Sequence, residues 1–96
     1  MGETAGMNIY RTPARVDNTN AGRIDEDLKA FAAKEIFDLT IDMAETGYIS
    51  SVGLRVLLSM QKIVNLHHGD MRIVNVRDEV KEIFDVTGFS DIMSVS

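Results

Sequence analysis

Two serines stand side by side, Ser50 and Ser51, between an apolar segment ending at Ile49 and a long apolar run starting at Val52. A hydroxyl at such a junction can cap a helix by accepting a hydrogen bond from a first-turn N–H. It can also carry a phosphate, whose charge suits the positive end of the helix dipole. If the helix starts just after Ser51, that serine is the N-cap, and Leu54 occupies the position where a capping box places Glu or Gln. The intervening first turn, VGL, is uncharged. Gly53 would let a phosphate or a partner approach the backbone closely. A phosphate on Ser51 would add about −1.5 to −2 charges at pH 7. A partner docked beside it would meet desolvation and like-charge repulsion, and a penalty of about 3 kcal/mol weakens binding more than a hundredfold. The residues alone leave capping and switching both open.

Other chemistry is harder to assemble. His67 and His68 are neighbours in a helix-end segment and point in different directions, so they make no helical metal pair. There is no phosphate-loop or dinucleotide-binding glycine pattern. GYISSVG lacks the spacing of a nucleophile elbow. The acidic residues fall mostly on polar helix faces, and cysteine is absent. No catalytic set, metal site or cofactor is expected, and a small enzyme is the weakest functional class.

The elements that must position the serines follow from periodicity. Residues 7–16 read as a strand with Met7, Ile9 and Arg11 on one side, confined to an edge or interrupted by Pro13. DNT at 17–19 supplies helix-start chemistry, and Ala21, Ile24, Leu28, Phe31 and Ala32 follow at helical spacing. Residues 36–44 alternate as a strand, with Leu39, Ile41 and Met43 on one side. The 51–66 helix carries two apolar stripes, one of Leu54, Leu57, Leu58 and Val64, the other of Val56, Met60 and Ile63. Stripes covering more than half the circumference fit a helix buried between neighbours, or one that keeps a contact surface for a partner. Gly69 is the expected stop of that helix, 71–76 a strand, Asp78 the N-cap of a helix that Gly88 ends, and 91–95 a last strand. Strands and helices in alternation imply an α/β domain with a largely parallel sheet, and ligands tend to meet the loops at the strands' carboxyl ends. Ser50 and Ser51 sit in such a loop.

A 45% apolar, 26% charged chain of 96 residues is close to globular averages, which suggests one folded domain, taken as residues 7–96 after a flexible tail at 1–6. The formal charge of −5 argues against nucleic acid and anionic membranes, both of which need a positive surface. No apolar run approaches the roughly 20 residues of a membrane span, and the start lacks signal-peptide features, so a cytoplasmic location is expected.

YISSVGLRVLL resembles the signature of STAS domains, specifically bacterial anti-sigma factor antagonists. PARVDNTNAGRIDEDLKAF resembles the family's second strand and first helix, and GDMRIVNVRDEVKEIFDVTGFSDIMSV its later strand, helix and final strand. The resemblance covers residues 9–95. It implies a STAS-like α/β fold with a mostly parallel or mixed four-stranded sheet and three main helices, here without a clear first hairpin strand. It also implies partner switching. The unphosphorylated domain binds an anti-sigma factor, a serine kinase with a histidine-kinase-like ATPase fold. Phosphorylation of one serine releases it, and a serine phosphatase resets it. Aligned on Gly53 and Leu54, that serine is Ser51, with Ser50 the alternative. Ser50 stands where the family often has Asp, and Val52 where Ser, Thr or Ala is usual. The docking surface is expected at Asp17, Asn20, Ser50, Val52, Gly53, Leu54, Val56 and Met60, with Ile63 as an addition. The family's C-terminal helix is absent or cut short after Val95.

A missing hairpin strand leaves a sheet edge open, and pairing with a second copy would cover it, so homodimerisation through that edge is expected. The rival reading is a STAS scaffold that is never phosphorylated and serves a transporter, a lipid-transfer complex or a signalling assembly.

Overall fold

Pro13 divides the first extended segment in two. In the computed structural model, which describes residues 8–96, Ile9–Arg11 form β1 and Arg15–Val16 form β2, with the proline at the break. The expected position of Met7 on this strand lies outside the described residues. Thr46, fully buried, donates its hydroxyl to the Pro13 carbonyl at 2.7 Å and lies 2.5 Å from the Thr12 hydroxyl. These contacts satisfy polar groups where Pro13 has no N–H to offer a sheet.

The remaining elements are α1 (Ala21–Ala33), β3 (Asp38–Asp42), β4 (Tyr48–Ile49), α2 (Ser51–Leu66), β5 (Asp70–Val74), α3 (Asp78–Val86) and β6 (Ser94–Val95). A 3-10 turn at Phe89–Asp91 overlaps the expected last strand at Asp91, and the strand itself is confined to Ser94–Val95. The sheet runs β1-β3-β5-β6 with every pairing parallel, so β1 is an edge among the described residues, and β2 and β4 form a separate parallel ribbon.

One core joins the helices to one face of the sheet. Ile24 and Leu28 of α1, Leu57, Met60 and Val64 of α2, and Val80 and Phe84 of α3 close on Leu39, Ile41, Met71 and Ile73. The opposite face is polar. Asp38 and Asp70 are direct partners across β3 and β5, where two like charges repel. Arg72 lies between them, paired to Asp70 and bonded to Asp38 at 2.9 Å and to the Thr40 hydroxyl at 3.2 Å. A parallel sheet usually has both faces covered; here the described residues leave one face polar and bridged by charge.

Helix ends differ from the sequence reading. The left-handed residue after α2 is His68 (φ 58°), not Gly69. His68 donates to Asn65 O at 3.1 Å and Gly69 to Val64 O at 2.9 Å, the paired bonds of a Schellman ending. Gly69 is required for another reason: a Cβ there would lie 2.0 Å from the Phe37 carbonyl oxygen. Asp78 is the first residue of α3 rather than its cap. Arg77 holds the cap position without a side-chain bond, and Asp78 and Glu79 put negative charge in the first turn. Gly88, at φ 80°, ends α3 as expected.

Candidate functional site

The β2–β4 ribbon sets the serine loop. Arg15 pairs with Tyr48 and Val16 with Ile49, and the Ser50 N–H donates to Val16 O at 2.8 Å. Val16 and Ile49 are both buried in the core. Strand alternation turns Arg15 and Tyr48 the other way, where the guanidinium lies 4.5 Å from the ring centroid.

Asp17 and Asn20 fold the turn that leads into α1. The Asp17 carboxylate accepts from the Thr19 hydroxyl at 2.6 Å, the Thr19 N–H at 3.0 Å and Arg15 Nε at 3.3 Å. These bonds, led by the Thr19 hydroxyl, hold its pKa below the usual carboxylate range, so Asp17 is ionised at neutral pH. Asn20 accepts from the Asp17 N–H at 3.0 Å and donates to the Arg15 carbonyl at 2.7 Å. Both side chains shape the loop beside β2.

The cap belongs to Ser50. Its backbone is extended (φ −87°, ψ 170°), and its hydroxyl accepts from the Gly53 N–H at 3.2 Å. Ser51 is therefore the first helical residue rather than the expected N-cap, and it is exposed. The third helical position moves from Leu54 to Gly53, which likewise has no side chain to close a capping box. Gly53 is buried rather than open to a ligand. A Cβ there would lie 2.6 Å from Val16 Cγ1 and 2.9 Å from Ile49 Cγ1, so its lack of a side chain lets the head of α2 close on the ribbon.

The expected docking residues separate by burial. Val52 is half-buried, whereas Leu54, Val56 and Met60 are 3%, 9% and 1% exposed, and Ile63 packs partly against the core. Both apolar stripes of α2 are used internally, because the helix contacts α1 on one side and β5 on another. Met60 and Leu54 cannot meet a partner without leaving the core. The outer stripe of α2 instead carries Ser51, Arg55, Lys62 and Leu66, all exposed. Beside Ser51, an open groove runs between the first halves of α1 and α2, with Ala21, Asp25, Val52, Arg55 and Val56 among its walls. Arg15, Tyr48 and Arg55 escaped the sequence reading. The two-residue offsets from Arg15 to Asp17 and from Tyr48 to Ser50 would place them together only once the ribbon pairing is known.

Both histidines are exposed at the end of α2. The His67 ring stacks on Phe37 with centroids 3.9 Å apart, and His68 takes the left-handed turn. Among the described residues no group of three or more His, Cys, Asp or Glu could hold a metal ion, and no helix is long and apolar enough to cross a membrane.

The site is thus an exposed serine at the head of a mostly buried helix in a small α/β domain. Residues 1–96 match the STAS domain family, and the chain belongs to it. BtrV of Bordetella bronchiseptica is 30% identical over 96 residues, spanning the whole chain and 83% of that protein. The anti-sigma-B factor antagonist of Listeria monocytogenes is 29% identical over 93 residues, spanning 97% of this chain and 81% of the relative. The fold matches the anti-sigma factor antagonist SpoIIAA in its unphosphorylated form, with a TM-score of 0.81 at 13% identity over 94% of this chain and 79% of that one. It also matches the phosphorylated form of SpoIIAA, a Bacillus cell-fate determinant, with a TM-score of 0.74 at 12% identity over 95% and 83%.

Proposed function

We propose that this protein is a cytoplasmic, non-enzymatic anti-sigma factor antagonist that works by partner switching. Unphosphorylated, it binds an anti-sigma factor that is also a serine kinase with a histidine-kinase-like ATPase fold. Phosphorylation of Ser51 releases it, and a serine phosphatase restores it. The observation that carries this reading is the division of labour between the serines: Ser50 is committed to capping α2, and Ser51 presents its hydroxyl to solvent one residue later. The Listeria relative and the two forms of SpoIIAA support it. Docking would use Ser51, Val52 and the groove beside them, with Asp17, Asn20 and Gly53 holding the loop in shape.

The test is phosphosite mapping in the native host across growth and stress, with fragmentation that separates Ser50 from Ser51. Ser51→Ala should abolish the phosphate and keep binding to the kinase. Ser51→Asp should weaken that binding at least tenfold, about 1.4 kcal/mol. Ser50→Ala should keep phosphorylation and lose about 1 kcal/mol of stability with the cap. A phosphate that persists undiminished in Ser51→Ala rejects the assignment. Full peptide coverage with no phosphate in any condition favours the scaffold reading.

The same reading extends to self-association. In the parallel register, Tyr10 turns its backbone groups toward β3, which leaves those of Ile9 and Arg11 facing outward at the sheet edge. A second copy pairing there would give a dimer by light scattering at high concentration, and a strict monomer would reject it.

A further inference from the structure

Arg55 is an exposed cation without a carboxylate partner among the described residues. Most arginines are committed elsewhere. Arg11 pairs with Asp42, Arg15 with Asp17 and Tyr48, Arg72 with Asp38 and Asp70, and Arg77 bonds the Ala44 carbonyl. Asp25, on the facing side of the groove, is taken by Lys29 at 3.1 Å. Arg55 stands four residues after Ser51 on the same exposed stripe of α2. Side chains at that spacing are neighbours, and an acid placed N-terminal to a base is the favourable order. Long helical side chains also lean toward the helix N-terminus, which carries the Arg55 guanidinium toward Ser51.

We propose that Arg55 is the internal acceptor of the Ser51 phosphate. This role rests on phosphorylation of Ser51 as argued above. The pair is an intrahelical, charge-assisted contact between guanidinium and phosphate oxygens. It holds the phosphate back along α2 over Val52, at the mouth of the α1–α2 groove. The modification therefore does two things at once. It places negative charge at the groove and withdraws Arg55, which in the unmodified protein is free to meet an acidic group of a partner.

The test is a phosphorus-31 NMR titration, at low salt, of the full chain carrying phosphoserine installed directly at position 51. Three backgrounds are compared: the parent, Arg55→Gln and Lys62→Gln. Lys62 lies on the same exposed stripe about 16 Å along the helix from Ser51, so it controls for the general field. A guanidinium favours the dianion and lowers the second phosphate pKa from its ordinary value of about 6. Arg55→Gln should raise that pKa by about 0.3 unit, and Lys62→Gln should leave it in place. Equal values in the parent and Arg55→Gln overturn the pairing, as does an equal rise in both variants. Because the phosphate is installed without a kinase, these outcomes are separate from the phosphosite mapping. A chain never modified at Ser51 in its host overturns the switch and this role with it.

Discussion

Gly69→Ala is expected to destabilise the domain by about 3 kcal/mol, a large fraction of the 5–15 kcal/mol that holds most domains folded. The added methyl would sit 2.0 Å from the Phe37 carbonyl oxygen, 2.6 Å from Phe37 Cβ and 2.8 Å from its carbonyl carbon. Two of these three atoms are backbone, so no rotamer change relieves the clash. Nor can the segments move apart cheaply. The Asp70 N–H donates to Phe37 O at 2.8 Å, and the next residues are the Asp38 and Asp70 pair that opens the β3–β5 register. Denaturant unfolding should show a lower midpoint with an unchanged slope. Gly22→Ala is the control, because a Cβ at that exposed helical position meets nothing within 4 Å, and it should stabilise by about 0.5–1 kcal/mol. A Gly69→Ala protein as stable as its parent would show that the close approach does not limit this crossing.

Gly53→Ala is expected to cost about 2 kcal/mol through contacts of a different kind. Its nearest obstacles are side-chain carbons, the Val16 Cγ1 methyl at 2.6 Å and the Ile49 Cγ1 methylene at 2.9 Å, so the cost can be relieved from the other side. Val16→Ala alone removes buried apolar atoms and should itself destabilise. Combined with Gly53→Ala, it removes the nearer of the two clashes and leaves only Ile49 Cγ1, at 2.9 Å, to shift. The double variant should be at least 1 kcal/mol more stable than the sum of the single losses predicts, a coupling that a double-mutant cycle reads directly. Strict additivity would mean that Gly53 does not seat α2 on the ribbon. The functional consequence is local. Pushing α2 off Val16 displaces the Ser50 cap and Ser51 together, so Gly53→Ala should also slow phosphorylation of Ser51, and Val16→Ala should restore part of the rate.

These two glycines show where reading a chain in one dimension stops. Gly69 follows an apolar helix, and the usual reason for glycine there is the left-handed turn. His68 takes that turn instead, and Gly69 is needed against Phe37, more than thirty residues away. Gly53 suggested an open approach to the backbone and is closed by Val16. Local pattern indicates that a small residue is wanted; only the neighbour across the fold tells why.

The alternation of the main strands and helices, the helical faces of α1 and α3, the alternation of β3 and the buried character of α2 were legible in the sequence, because each rests on a period of two or 3.6 residues within one segment, whereas the two-residue β2 and β4 are too short to show one. The serine pair and its placement at a strand-to-helix loop were legible for the same reason, and the STAS resemblance named the fold. Tertiary structure decided the rest. Pairing of Arg15–Val16 with Tyr48–Ile49 sets where α2 begins, and that one-residue shift gives the cap to Ser50 and the open hydroxyl to Ser51. Packing of α2 between α1 and β5 takes Leu54 and Met60 out of any docking surface and leaves Ser51 and Arg55 on the exposed stripe. Local periodicity tells a helix which residues are apolar. Which of those apolar residues stays exposed depends on what packs against the helix, and those neighbours come from distant parts of the chain.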